Sequence, residues 1–223
     1  MKTFSFILVN ILISTFSFGQ YYTIKGRILD HPLYDHLALI KHINPYEQVR
    51  LVEKQVQKGD FEFQISDKEI DMYVIQNSTN KNFIMFIWDG NLTVEIDSID
   101  FWNSKVNNSK LTDEMDKFGV VTQKTFFDPI RKLDTLITNY KVNRGSKSVI
   151  DSLEKLKSKL IDESQKGFMA YNREYIRLHP DSFFSLYLLS KLSMFGIQDA
   201  DRESFSYLSK ELKNHSRAKQ FKE

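Results

Sequence analysis

The chain contains no cysteine, and this absence excludes several kinds of chemistry. Without a thiol there is no disulfide, no thiolate nucleophile, no Cys-x-x-Cys redox pair and no zinc site with cysteine ligands. There is also no cysteine near the N-terminus to carry a lipid, so we expect a mature protein without a lipid anchor. The fold must depend on packing and on polar contacts.

An excess of charge of one sign is also absent. The 31 lysines and arginines and 29 aspartates and glutamates leave a net charge of +2, so no surplus of basic residues indicates a nucleic-acid surface. The sequence has no Gly-x-Gly-x-x-Gly or Gly-Lys-Ser/Thr phosphate loop and no Gly-x-Ser-x-Gly nucleophile turn. We therefore expect no catalytic residue, no cofactor-binding residue and no metal ligand, and a protein that is not an enzyme.

The first 19 residues have the composition of an export signal. Lys2 precedes a largely apolar stretch from residue 4 to residue 18, and Ser17-Phe18-Gly19 supplies small residues where a signal peptidase cuts. This stretch is shorter than the roughly 20 apolar residues of a membrane span. We predict cleavage before Gln20 and an exported protein of the periplasm or cell envelope with no stable span; the alternative is an uncleaved anchor.

Residues 20–105 carry the alternating pattern of short β-strands. The strongest signal is Phe83–Trp88, the turn Asp89-Gly90 and the alternating segment Leu92–Asp97, which together predict a β-hairpin. Its first strand is apolar on both faces and should lie in the middle of a sheet, and its second should alternate between core and water.

Six other segments have strand character: Tyr22–Ile28, Leu37–Ile40, Val49–Val56, Phe61–Ile65, Met72–Gln76 and the short Phe101-Trp102. Eight short strands separated by turns at this spacing predict an antiparallel β-sandwich.

From residue 106 to residue 223 the apolar period becomes 3.6, which predicts a helical region. Leu111, Met115 and Phe118 begin it, and Asp128-Pro129 should cap and open a further helix. A long amphipathic helix over residues 150–178 follows, about 45 Å long at about 1.5 Å per residue. The predicted fold class is α+β, with an N-terminal antiparallel β-sandwich and a C-terminal helical region.

In the C-terminal part of the chain, turn residues mark the ends of the predicted helices. His179-Pro180 should end the long helix, and Asp181 should cap a buried helix that Gly196 terminates. A final helix is indicated by Phe205, Leu208 and Leu212. The basic tail over residues 213–223 either contacts an anionic lipid or a partner, or complements a helix C-terminus, and we favour the second interpretation.

Two groups of side chains are candidate sites. His31, His36 and His42 lie close in sequence, and the last two share a face if one strand holds both. Neutral imidazoles suit zinc or copper, but we favour solvated histidines on an edge strand.

The second group is acidic and consists of Glu95, Asp97 and Asp100. It lacks the glycine and the ligand spacing of a calcium loop. We therefore interpret it as a solvated strand face followed by a turn.

Four segments resemble a known family: Gly59-Asp60-Phe61-Glu62-Phe63, Phe86-Ile87-Trp88-Asp89-Gly90-Asn91-Leu92-Thr93-Val94, Tyr175-Ile176-Arg177-Leu178-His179-Pro180-Asp181-Ser182 and Leu208-Ser209-Lys210-Glu211-Leu212. In this order they are similar to the N-terminal domain of unknown function in bacterial envelope proteins of the thioredoxin-like disulfide oxidoreductase type. The resemblance runs from about residue 21 to the end. It implies a small β-sandwich followed by helices and, in the family, by a thioredoxin domain with a Cys-x-x-Cys pair.

This sequence departs from that family because it ends where the thioredoxin domain would begin and has no cysteine. No functional residue is carried over. Two functions follow as hypotheses. The first is a non-catalytic envelope module that binds a partner protein or ligand, through the sandwich or the groove between sheet and helices. The second is an accessory or truncated half of a thiol-disulfide oxidoreductase, acting in trans with a separate thioredoxin-like Cys-x-x-Cys protein.

Overall fold

The structure is a computed structural model that describes residues 22–29, 36–44, 47–65, 69–77 and 83–222. The predicted signal segment 1–19, His31 and Glu223 lie outside these residues. Within the described residues the chain forms strands first, up to residue 107, and helices from residue 110. This order confirms the predicted α+β class.

The strands form two four-stranded sheets, in the orders β4-β1-β7-β8 and β3-β2-β5-β6. Neighbouring strands are antiparallel except β1 and β7, which run parallel. The bounds are β1 Tyr22–Leu29, β2 His36–Asn44, β3 Glu47–Gln55, β4 Asp60–Ile65, β5 Asp71–Asn77, β6 Phe83–Trp88, β7 Leu92–Asp97 and β8 Lys105–Asn107.

The core of the sandwich fills the space between the two sheets. Alternate residues of several strands point into it, and Ile24, Phe63, Tyr73, Phe86 and Ile96 are each buried there. Strand β7 shows the predicted alternation, with residues 92, 94 and 96 buried and residues 93 and 95 exposed.

The predicted hairpin between β6 and β7 is wrong, because the two strands belong to different sheets. Gly90 does not have the positive φ of a tight hairpin turn. The connection is instead held by two contacts: the Trp88 ring N–H donates to the Gly90 carbonyl at 2.6 Å, and an Asp89 carboxylate oxygen accepts from the Leu111 N–H at 3.1 Å. The chain therefore crosses from one sheet to the other at these residues.

Strand β6 also lies at a sheet edge, where a central position was predicted. It is apolar on both faces for another reason. One face, with Phe86, meets the opposite sheet, and the other, with Ile87, is covered by helices. The strand predicted at Phe101-Trp102 is wrong as well: residues 101–103 form a 3₁₀ turn, and the last strand is β8.

The helices are α1 Lys110–Thr122, α2 Asp128–Val142, α3 Lys147–Leu178, α4 Phe183–Leu192, α5 Asp199–Tyr207 and α6 Lys210–Asn214, with a 3₁₀ turn over Ser216–Phe221 at the end. The long helix predicted over residues 150–178 is thus confirmed as α3. The final helix predicted around Leu208 is divided into α5 and α6.

Helix α2 begins at Asp128 with Pro129 in its first turn, as predicted, but Asp128 is helical and is not the N-cap, and α2 is not separated from α1. Residues 123–127 form a π-helical turn that joins α1 to α2 without a break, and the Asp128 N–H bonds the Gln123 carbonyl five residues back. Proline has no N–H to donate, and its ring clashes with the carbonyl four residues back in an ordinary α-helix. A wider turn just before Pro129 gives that ring room.

The helices cover the outer face of the second sheet. Met72 and Ile87 from the sheet belong to the same buried cluster as Ile176, Phe184 and Leu186 from α3 and α4. Helix α4 is buried along most of its length, as its sequence predicted, but Ser182 caps it in place of Asp181 and accepts from the Phe184 N–H at 3.2 Å. In the described part of the chain, no helix combines the length and the apolarity that crossing a bilayer requires.

Candidate functional site

The structure separates the histidines of the first candidate site. His36 is exposed at the start of β2 and His42 is buried near its end, about 20 Å away at about 3.3 Å per strand residue. Because β2 lies between β3 and β5, His42 is not the solvated edge-strand residue that we predicted. Among the described residues, no group of three histidine, aspartate or glutamate side chains could hold a metal ion.

The acidic group forms a turn. An Asp97 carboxylate oxygen accepts from the backbone N–H groups of Ile99 and Asp100, each at 2.9 Å, and these bonds lower the pKa of Asp97. Glu95 lies on the exposed face of β7 opposite Lys105. These positions agree with the predicted strand face followed by a turn.

The basic tail has a structural role that neither interpretation predicted. Arg217, in the 3₁₀ turn after α6, bonds an Asp71 carboxylate oxygen at 2.5 and 3.1 Å and the His42 carbonyl at 2.5 Å. Both side chains of this ion pair are only 4% exposed. The tail therefore returns to the second sheet and is tied there by a buried charge pair.

Further charges surround this contact. Lys41 lies 3.5 Å from the second Asp71 oxygen, and Glu69 accepts from the N–H and the hydroxyl of Ser216 at 2.8 and 2.7 Å. Burial raises the pKa of Glu69, but the two bonds from Ser216 and the nearby cations outweigh it, so the net pKa is lowered. Because each of these acids has a basic or hydroxyl partner, we interpret the cluster as structural.

A different feature has the geometry of a binding site. An open groove of about 560 Å³ lies where the edge strands β6 and β8 of the two sheets approach the first helix. We call it the edge groove. Its lining is mostly apolar: Phe83, Ile84, Met85, Phe101, Ser104, Val106, Thr112, Met115, Asp116, Gly119 and Val120.

Strand β6 forms one wall of the edge groove with its backbone. At Ile87 the N–H donates to the Thr112 hydroxyl at 3.0 Å, and the carbonyl accepts from the Ser109 and Thr112 hydroxyls at 3.0 and 3.2 Å. Both groups therefore point away from β5. Because backbone direction alternates along a strand, the N–H and C=O groups of Met85 and Phe83 point the same way, into the groove.

The two ends of the free edge of β6 differ in whether other residues cover them. The start of α1 satisfies the backbone at Ile87, whereas Phe83, at the other end, is 52% exposed. Of the strands that the structure describes, only β5 pairs with β6. The groove therefore presents an open strand edge beside apolar side chains.

One acidic group lines the groove. Burial and the neighbouring Asp113 raise the pKa of Asp116. A cation placed beside this carboxylate would lower its pKa again.

The sequence hypothesis included a groove between sheet and helices, but it did not predict which residues line the edge groove. Met115 was assigned to an amphipathic helix and Phe83 to a central strand, and both assignments direct these side chains to a core. No local sequence signal identifies this groove, because the bonds from Ser109 and Thr112 to Ile87 are visible only in the structure. The residues that line the groove are mostly apolar and include no paired acid and base.

In a comparison with protein families, residues 22–115 match the family described as Domain of unknown function (DUF4369). These residues therefore form a domain of unknown function, as the resemblance implied for this part of the chain. The matched part includes the sandwich and the start of α1, which supply most of the edge groove. Neither the curated proteins nor the solved structures gave a match.

Proposed function

We propose that the protein is a non-catalytic, exported module of the cell envelope that binds a partner protein by accepting an extended segment of it in the edge groove. The observation that carries this proposal is the open edge of β6 beside an apolar groove. Unpaired N–H and C=O groups at a sheet edge are a template for another strand, and neighbouring pockets select its side chains.

The dimensions suit a short segment. A volume of about 560 Å³ is typical of ligand sites in proteins. The stretch of edge from Phe83 to Met85 is about 7 Å long, which pairs with about three residues of an added strand. Met115 and Val120 would contact its apolar side chains, and Asp116 would face a lysine or arginine.

The proposed location is the periplasm or cell envelope. Support comes from the apolar segment 4–18 and the small residues before Gln20, and from the resemblance to envelope proteins. Cell fractionation followed by N-terminal sequencing tests this part. We expect an envelope fraction whose chain starts at Gln20; a cytoplasmic protein that retains residues 1–19 would contradict it.

The binding site can be tested by photo-crosslinking in the cells that make the protein. A benzoylphenylalanine in place of Val120, in the edge groove, should give a discrete adduct with a partner protein. The matched control places the same group at Val142, which is 75% exposed but lies far from the groove in sequence and outside its lining.

A blocking substitution completes the test. A Cβ added at Gly119 meets no atom within 4 Å, and Gly119 lines the groove, so the side chain of Gly119→Trp should occupy the groove and abolish the adduct formed at position 120. Gly90→Trp, also in open space but outside the groove, should leave it intact. Adducts that are equal at positions 120 and 142, or that survive Gly119→Trp, would refute the groove as the binding site.

The partner that we propose is a separate thioredoxin-like protein with a Cys-x-x-Cys pair. The resemblance over segments such as Gly59–Phe63 and Phe86–Val94 supports this choice, because in that family the same kind of domain accompanies a thioredoxin domain. Mass spectrometry of the adduct identifies the partner. A partner without a cysteine pair would remove the redox part of the proposal and leave the binding module.

A further inference from the structure

The edge groove continues into further concave surface on the helices. A second depression of about 510 Å³ shares Val120 with the groove, and a third of about 290 Å³ shares Asp128 and Lys132 with the second. The third lies further along α2, with Arg131 and Thr135 in its lining. Because neighbouring depressions share lining residues, the groove and the two depressions form one continuous path.

Helix α1 runs beside β6 toward the open end of that strand. Ile87 bonds Ser109 and Thr112 near the start of α1, and Val120 lies about 12 Å along the helix from Thr112 at about 1.5 Å per residue. Phe83 lies about 13 Å along β6 from Ile87 at about 3.3 Å per residue, and both Phe83 and Val120 line the groove. A segment that leaves the open end of β6 therefore passes Val120 and enters the second depression.

The charge of the lining changes sign along this path. Asp116, Val120 and Lys124 are four residues apart, so they lie on one side of the helix at intervals of about 6 Å. Asp116 lines the groove, Lys124 lines the second depression, and Val120 lines both. A ligand that follows the path therefore meets an acid, then an apolar residue, then a base.

The second and third depressions carry an excess of positive charge. Lys124, Arg131 and Lys132 line them, and among the described residues of this lining Asp128 is the one acid, which leaves a net charge of +2. The Asp128 carboxylate already accepts from the Gln123 amide at 3.0 Å and from the Arg131 guanidinium at 2.5 Å. The bond from Gln123 and the charges of Arg131 and Lys132 lower the pKa of Asp128. We call these two depressions together the basic surface.

The path crosses the helix where the helix is irregular. Gln123 and Lys124 belong to the π-helical turn over residues 123–127, Pro129 follows that turn, and all three residues line the second depression. Turns of this kind are rare inside helices and frequently occur at functional sites. The turn that accommodates Pro129 therefore also shapes the start of the basic surface.

We propose that the basic surface binds acidic residues of the same partner segment that occupies the edge groove, an inference that rests on the proposed function. Lys132 lies roughly 18 Å along the helices from Val120, a distance that about five or six extended residues span. The partner is therefore a chain whose apolar residues at the edge of β6 are followed, on the side toward α2, by aspartates or glutamates. Charges of opposite sign across an interface select the partner and its register.

Photo-crosslinking tests where the segment runs. A benzoylphenylalanine in place of Gln123 should capture the same protein as the one in place of Val120, with identity established by mass spectrometry. Thr125 is the matched control, because it is exposed in the same turn but lies outside the lining of the depressions. An adduct at position 120 with none at position 123, or equal adducts at positions 123 and 125, would overturn the proposal and leave the proposed function in place. The absence of an adduct at position 120 would overturn both.

Charge reversal tests the chemistry of the segment. Lys124→Glu combined with Lys132→Glu should lower the yield of the position 120 adduct about 10-fold, since each change replaces an attraction by a repulsion. Lys155→Glu combined with Lys166→Glu makes the same change in net charge at exposed positions of α3 and should leave the yield unchanged. All four lysines are exposed, so both variants should keep the circular dichroism of the wild-type protein. A yield that both pairs lower equally, or that neither lowers, would overturn the proposal.

Discussion

At the scale of single residues, the most informative feature is the environment of His42. The ring is buried on β2, and the guanidinium of Arg217 bonds its backbone carbonyl. Burial lowers the pKa of His42, and the positive charges of Lys191 and Arg217 lower it further. The folded protein therefore holds a neutral imidazole where the unfolded chain would become charged in mild acid.

This difference predicts acid sensitivity. Below about pH 6.5 the unfolded chain binds a proton at His42 that the folded protein still rejects, so the free energy of unfolding should fall as pH falls. The slope contributed by this group is at most about 1.4 kcal/mol per pH unit. Urea unfolding at pH 7.5, 6.5 and 5.5 measures it. Glu69 contributes in the same direction, but only at lower pH, because its pKa is lowered from the ordinary glutamate value.

The control for this prediction is His36, which is exposed on the same strand. His42→Gln should flatten the dependence of unfolding free energy on pH, whatever its effect on stability at pH 7.5, and His36→Gln should leave the slope as it is. Equal slopes in the wild-type protein and the His42→Gln variant would contradict the assignment.

At the scale of elements, the connections between helices depend on a few polar side chains. Ser182 caps α4 by accepting from the Phe184 N–H, and its hydroxyl donates to Glu114 on α1 at 2.7 Å. Tyr175 on α3 also donates to Glu114. One serine thus joins the start of a buried helix to α1, which lines the edge groove.

Removing that hydroxyl should be costly. Ser182→Ala leaves an N–H of α4 without its cap and takes one donor from Glu114, so we expect a loss of about 1–2 kcal/mol in unfolding free energy. Ser158→Ala is the matched control, since its hydroxyl bonds a carbonyl within an exposed part of α3. It should change stability by less than about 0.5 kcal/mol. Urea midpoints at constant slope compare the two, and similar losses would contradict the proposed role.

Periodicity predicted the elements well. Apolar residues that recur every two residues line one face of a strand, and those that recur about every 3.6 residues line one face of a helix, so the pattern within a segment indicates which residues are buried. It could not predict which strand pairs with which. Asp89-Gly90 has the composition of a hairpin turn, yet one of its contacts is with the Leu111 N–H, more than 20 residues away in sequence. Pro129 indicates a helix start from local chemistry, whereas a π turn accommodates it within a continuous helix.

The sequence also could not show how residues that are far apart in the chain combine into the edge groove or the buried ion pair. The apolar pattern identifies Phe83 and Met115 as buried, but only the arrangement of two sheets and a helix turns them into the walls of the edge groove. The basic tail was predicted to complement a helix C-terminus or to contact an anionic lipid or a partner, because the sequence does not show that Asp71 is a buried partner for Arg217. Where a residue's role depends on a partner far away in sequence, the composition of its own segment does not predict whether it is buried.

At the scale of the whole molecule, the second sheet has a buried cluster on each of its faces: the core of the sandwich on one and the helices on the other. One face of that sheet lines the core with Tyr73 and Phe86, and the other packs Met72 and Ile87 against the helices. The Arg217 to Asp71 pair then ties the last turn of the chain to the first residue of β5. Because these contacts are continuous, we expect the described chain to unfold as one cooperative unit.

Arg217→Ala tests this expectation. The substitution leaves the Asp71 carboxylate buried with Lys41 at 3.5 Å as its remaining cation, so unfolding free energy should fall by about 3 kcal/mol. Tryptophan fluorescence, to which Trp88 in the sandwich core contributes, and circular dichroism of the helices should shift together to the same lower urea midpoint. Lys219→Ala, exposed in the same 3₁₀ turn, should leave both midpoints unchanged. If only the helical signal moved, the tail would stabilise the helices alone, and the sandwich would be an independent folding unit.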